Sequence, residues 1–177
     1  MRKKNIISAD KIAFCGIMSA LAIVFGYIEH LIPFSLGIYG IKLGLANIVI
    51  VLMIYEFKWY TALAINLLRI FISFLLFGSA TSVIYSLAGG LLSFFAMLGV
   101  SHIRKAGISI IGVSICGGVA HNIGQLCAAI ILVDNLRIAF YLSVLVIVGA
   151  ITGTVIGFAA SAISRLPMFV KAGKKQP

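Results

Sequence analysis

Apolar residues run through this chain in stretches of bilayer-crossing length, broken at a few places by charged residues, amides and glycines. A helical span needs roughly 20 mainly apolar residues, and six segments approach or meet that measure: 12–32, 43–57, 59–77, 79–100, 108–133 and 138–163. The pattern predicts an all-α polytopic membrane protein, a six-transmembrane-helix bundle in a single integral membrane domain over residues 1–177. The second segment is short and follows the polar run Gly40-Ile-Lys-Leu-Gly-Leu-Ala-Asn47. Pro33 to Lys42 is therefore expected to dip partly back toward the membrane, where irregular backbone is tolerable only against protein or a water-filled cavity.

Small residues mark the faces along which these segments pack. Gly149, Gly153 and Gly157 repeat every four residues, which puts them on one helical face and lets a neighbouring backbone approach closely. Ser82, Ser86, Gly89 or Gly90, and Ser93 form a similar face in the fourth segment, and Gly117 and Gly118 precede a polar cluster in the fifth. The first segment carries two such pairs, Gly16 with Ala20 and Ala22 with Gly26. Either pair suits internal packing or the docking of another membrane subunit.

Composition narrows the class further. With 62% hydrophobic and 10% charged residues and a mean hydropathy of +1.19, water-soluble globular classes are excluded. The net charge of +10 raises nucleic acid as a partner, but the basic residues cluster at the termini and between alternate segments, where they set topology instead. Nucleic-acid binding is not expected. Cys15, Cys116 and Cys127 lie in apolar segments without CxxC or histidine spacing, so they read as packing residues, with no metal and no cofactor expected. The first segment is span-length, contains Glu29 and His30, and lacks a persuasive cleavage site, so it reads as part of the mature protein rather than a signal peptide.

Placing both termini in the cytoplasm puts eleven lysines and arginines inside and only Lys42 and Arg137 outside, the distribution expected of a bacterial inner-membrane protein. Trp59 and Tyr60 then fall at the inner interface, and Glu29 and Lys42 toward the outer side.

Polar residues recur at comparable depth. Asn66 and Arg69 are three apart and share a face of the third helix, with Arg69 about 15 Å along the axis from Trp59. An arginine that deep must find a partner, and the charge of Lys42 is a functional-site hypothesis by default. His121 and Gln125 are four apart with Asn122 beside them, so the fifth helix offers several donors and acceptors. With Glu29, His30, Lys42 and Asn47 these residues can line one outward-facing pocket. The competing expectation is that they satisfy one another, Glu29 pairing with Lys42 or Arg69 and the amides joining helices. The excess of cationic groups over a single nearby acid favours a solute site.

The runs Gly26-Tyr-Ile-Glu-His-Leu-Ile-Pro33, Gly40-Ile-Lys-Leu-Gly-Leu-Ala-Asn47, Tyr85-Ser-Leu-Ala-Gly-Gly-Leu-Leu-Ser93 and Gly117-Gly-Val-Ala-His-Asn-Ile-Gly-Gln125 resemble the Gx transporter family, also labelled heptaprenyl diphosphate synthase component I. Tyr39 stands where that family usually has proline. The resemblance implies an arrangement similar to the substrate-binding S components of energy-coupling factor transporters: six helices, an outward-facing pocket and a capping loop after the first helix.

The two labels imply different partners. A prenyl diphosphate synthase holds magnesium diphosphate through clustered aspartates, because a hard cation needs oxygen ligands. Asp10, Glu29, Glu56 and Asp134 are the only acids in the chain and are far apart in sequence, so catalysis is not expected. Neither a GxxxxGK[ST] phosphate loop nor a serine nucleophile elbow is present. ATP-driven uptake would therefore need a transmembrane coupling subunit and ATPases. The leading expectation is capture of a small-molecule solute by Glu29, Lys42, Asn47, Asn66, Arg69, His121, Asn122 and Gln125, with the basic ends on anionic lipid or energising partners. The alternatives are a membrane scaffold for isoprenoid, quinone or electron-transfer machinery, partnered by a soluble prenyl synthase, and an autonomous proton-coupled carrier using Glu29 or His121.

Overall fold

A computed structural model describes residues 9–31, 44–77, 80–103, 108–167 and 169, with the backbone alone at 10, 30 and 77. Six α-helices account for most of it: α1 Ala9–Leu31, α2 Asn47–Glu56, α3 Trp59–Phe77, α4 Ala80–His102, α5 Ile110–Val133 and α6 Leu142–Ser164. A 3₁₀ helix, Leu136–Tyr141, leads into α6, so the last α-helix begins four residues later than the hydropathy pattern places it. Five of the segments are long and apolar enough to cross a membrane, and α2 is not.

The second element is where pattern and fold part company. Its ten residues rise only about 15 Å, half of a hydrocarbon core of roughly 30 Å. Asn47 through Met53 are all buried, as expected of a helix apolar on every side. It packs against α1, α3, α4, α5 and α6, so the shortest helix is the hub of the bundle. Because a lipid tail is as apolar as leucine, this burial rests on close van der Waals packing and on satisfied backbone groups rather than on exclusion of water.

A helix that starts within the bundle must provide for its first N–H groups, since at membrane depth an unpaired one is expensive. Gly44 makes the turn, with φ of +71°, a conformation that a side chain resists. Its carbonyl accepts from the Asn47 N–H at 2.8 Å, and the Leu45 carbonyl accepts from Ile48 at 3.1 Å. The Leu45 N–H donates to Glu29 Oε1 at 2.9 Å. A carboxylate at a helix N-terminus is also favoured by the helix dipole.

The long helices pack most extensively as α4–α5–α6, with α1–α3 and α3–α4 completing the surround. Along α5–α6, a Cβ on Gly153 would stand 2.7 Å from both Ile115 Cα and the Ser114 carbonyl oxygen, and one on Gly157 would stand 2.7 Å from Ile111 Cα. The backbones touch there, as the four-residue glycine repeat predicts. At the end of the bundle bearing Trp59, Phe14 stacks on Phe57 with centroids 5.4 Å apart and meets Phe169 edge-on at 5.2 Å, tying α1 to the end of α2 and to the chain after α6.

Candidate functional site

The polar side chains come together in depth around the head of α2. Arg69 stands about 15 Å along α3 from Trp59, Gly90 about 18 Å along α4 from His102, and His121 and Gln125 about 16 and 22 Å along α5 from Ile110. Asn47 opens α2. Asn47, Asn66, Arg69, His121, Asn122 and Gln125 are all buried, with no more than 7% of any of them exposed.

On one side of this cluster the groups join α3 to α4. Arg69 Nε donates to Asn66 Oδ1 at 3.0 Å, and Asn66 Nδ2 donates to the Gly90 carbonyl at 3.0 Å. Gly90 is needed there: a Cβ would come 3.4 Å from Arg69 Nη2 and 3.0 Å from Ile70 Cδ1. Glu29 places its negative charge within electrostatic reach of the Arg69 guanidinium, while its Oε1 accepts from Leu45 at the entry to α2. The acid thus does two structural tasks, orienting the turn into α2 and opposing the charge of a buried arginine.

The other side runs along the α4–α5 seam. Gly89 faces α5, where a Cβ would stand 2.8 Å from Gln125 Cγ, 2.9 Å from the His121 carbonyl oxygen and 3.1 Å from His121 Cε1. One turn along, a Cβ on Gly117 would meet Ser93 Oγ at 3.3 Å. Here polar groups are left over. Gln125 is 2% exposed, yet neither its Oε1 nor its Nε2 has a hydrogen-bond partner, and Ser93 Oγ and Asn47 Nδ2 are likewise unpaired. A glutamine amide offers two donor hydrogens and two acceptor lone pairs, so this is a concentrated lack of partners for a buried position.

Asn122 points elsewhere. Its Nδ2 donates to the Leu145 carbonyl on α6 at 3.0 Å, and a Cβ on Gly149 would reach that same nitrogen at 3.0 Å. It bridges α5 to α6 on a different face from His121, as adjacent helical positions about 100° apart must. Lys42, expected at the mouth of the pocket, lies outside the described residues, as do Pro33 through Ile41 and the side chain of His30.

Two features escape the sequence reading. Ser93 reads there as a packing residue, and only its juxtaposition with Gly117 marks it as a buried hydroxyl without a partner. The second is a partly open cleft of about 480 Å³ at the Trp59 end, lined by Tyr55 and Glu56 from α2, Ser109 at the start of α5, and Ser161 and Ser164 from α6. Its walls come from three segments more than 50 residues apart with no shared motif, so nothing in the sequence signals it.

Long apolar helices gathered around a buried polar cluster define an all-helical membrane protein. Residues 18–163 match the family described as heptaprenyl diphosphate synthase component I, and the chain belongs to that family. No curated protein and no solved structure matches it.

Proposed function

We propose that this chain is the solute-capturing subunit of a membrane transport system, similar in role to an S component. The observation that carries this reading is the set of unpaired buried polar atoms on Gln125 and Ser93 in the α4–α5 seam and on Asn47 at the start of α2. A network that only joined helices would satisfy its own amides, as Asn66 does between Arg69 and the Gly90 carbonyl. Arg69, Asn66, Asn47, His121 and Gln125 would form the walls and Lys42 the entrance, with Glu29 and Asn122 holding elements in place. With eleven basic residues on one side and two on the other, the chain sits in the bacterial inner membrane with both termini cytoplasmic, and the site opens outward.

A ligand that prefers the folded state raises thermal stability by mass action. Purified protein is expected to melt at a higher temperature in the presence of at least one member of a panel of vitamins, flavins, quinone precursors and prenyl diphosphates. An unchanged melting temperature across the panel refutes solute capture.

The family's description favours a second reading, in which the chain is the non-catalytic membrane partner of a prenyl diphosphate synthase. Catalysis would then reside in the partner, since four acids scattered over the whole chain offer no aspartate-rich motif for magnesium diphosphate. Recovery from membranes with a soluble prenyl synthase would favour this reading. Recovery with a transmembrane coupling subunit and ATPases would favour the first.

A further inference from the structure

The substrate class is open under the solute-capture reading, and the arrangement of charge and hydrogen bonding narrows it. Arg69 is the one cation buried in the polar cluster among the described residues. Its Nε is committed to Asn66, Asn66 is committed in turn to the Gly90 carbonyl, and the Glu29 carboxylate opposes its charge. An anionic ligand would have to compete with that acid for the guanidinium. The fully buried side-chain atoms of Gln125 and Ser93 that lack a partner lie on the neighbouring face of α4, in the α4–α5 seam, and belong to neutral groups.

We infer that Gln125 determines specificity in this site by reading a neutral planar edge that carries a hydrogen-bond donor and an acceptor on neighbouring atoms, as in a lactam, an imide or a carboxamide. This rests on the solute-capture reading and refines it. The carboxamide of Gln125 has Oε1 and Nε2 side by side, so a ring with that edge satisfies both through two parallel hydrogen bonds. A quinone presents acceptors alone and leaves Oε1 unpaired. A diphosphate presents acceptors and negative charge. Gly89 makes the arrangement possible, because any Cβ there would press on Gln125 Cγ and on the His121 backbone. Ser93 Oγ, which can donate or accept, lies one turn along the seam. Discrimination by this means is strong: a site built to hydrogen-bond a substrate group rejects the analogue lacking it by roughly 10⁴-fold or more, because its buried polar atoms are then left unpaired.

The test sets ligand chemistry against residue chemistry. Melting of the purified protein is followed with uracil, nicotinamide and riboflavin, with their fully N-methylated counterparts 1,3-dimethyluracil, N,N-dimethylnicotinamide and 3-methylriboflavin, and with menadione and isopentenyl diphosphate. At least one parent ring is expected to raise the melting temperature by about 5 °C near saturation, and its N-methylated form to give no shift. In Gln125→Met, which keeps the length of the side chain and loses both polar atoms, the ligand-free protein is expected to melt no lower than the wild type while the shift disappears. A shift that survives N-methylation, or one given only by menadione or isopentenyl diphosphate, overturns the role of Gln125 and leaves solute capture standing. So does a Gln125→Met protein that retains the shift. No shift with any compound overturns solute capture, and the inference with it. Should Gln125→Met fail to fold, the comparison of parent and N-methylated rings on the wild type decides alone.

Discussion

Arg69 is the residue on which the polar cluster turns. Its place on the same face of α3 as Asn66 follows from a separation of three, and the structure joins the two directly at 3.0 Å. The acid that opposes it, Glu29, is one the sequence offers to either Lys42 or Arg69, and the packing of α1 on α3 brings it to Arg69 across 40 positions. Removing Glu29, itself half-buried, leaves the buried Arg69 guanidinium without its counter-charge, a loss of roughly 3 kcal/mol or more. Glu29→Gln should therefore lower the melting temperature sharply, and the double variant Glu29→Gln with Arg69→Met should recover part of it. A double variant as unstable as the sum of the singles would show that the two charges are not coupled. Asn122 illustrates the opposite limit of legibility. Its neighbours His121 and Gln125 share a face by their spacing of four, but nothing in the sequence says that Asn122 turns to the Leu145 carbonyl instead.

Among the helices, the long ones are readable because an apolar run of about 20 residues is seldom anything but a membrane-crossing helix, and the glycine repeat of α6 locates the α5–α6 contact. The element that pattern leaves ambiguous is α2. An apolar run of this kind fits a short span or a buried half-helix equally well, and only its contacts with all five other helices decide between them. Glycines divide in the same manner. At Gly153 a Cβ already meets backbone atoms at 2.7 Å, whereas at Gly16 nothing lies within 4 Å. Gly153→Leu is expected to force α5 and α6 apart and to abolish recovery of folded protein. Gly16→Ala should leave stability unchanged or raise it by up to about 1 kcal/mol through helix propensity. Melting and size-exclusion profiles of the two variants check both outcomes; equal behaviour would mean that the α5–α6 backbone contact is not required for folding.

For the molecule as a whole, the open matter is what stands beside it in the membrane. α1 is the least enclosed of the span-length helices, with 11% of its window buried against 28% or more in each of the others. Its two small-residue pairs, equivalent in sequence, take different places. Ala22 is fully buried, and a Cβ on Gly26 would touch Ser73 Oγ on α3 at 3.4 Å, so this pair serves the bundle. Gly16 and Ala20 face outward, and small side chains on an outer face let the backbone of another membrane helix approach closely. A membrane coupling subunit would use such a face, whereas a soluble prenyl synthase has no helix at that depth to offer. Under the solute-capture proposal, Gly16→Leu is expected to leave the isolated chain melting no lower and to reduce any coupling subunit and ATPases recovered with it from membranes by tenfold or more, on the order of 1.4 kcal/mol of lost association. Undiminished recovery of those subunits would remove α1 as their docking face. Undiminished recovery of a soluble prenyl synthase in their place would turn the assignment toward the synthase component.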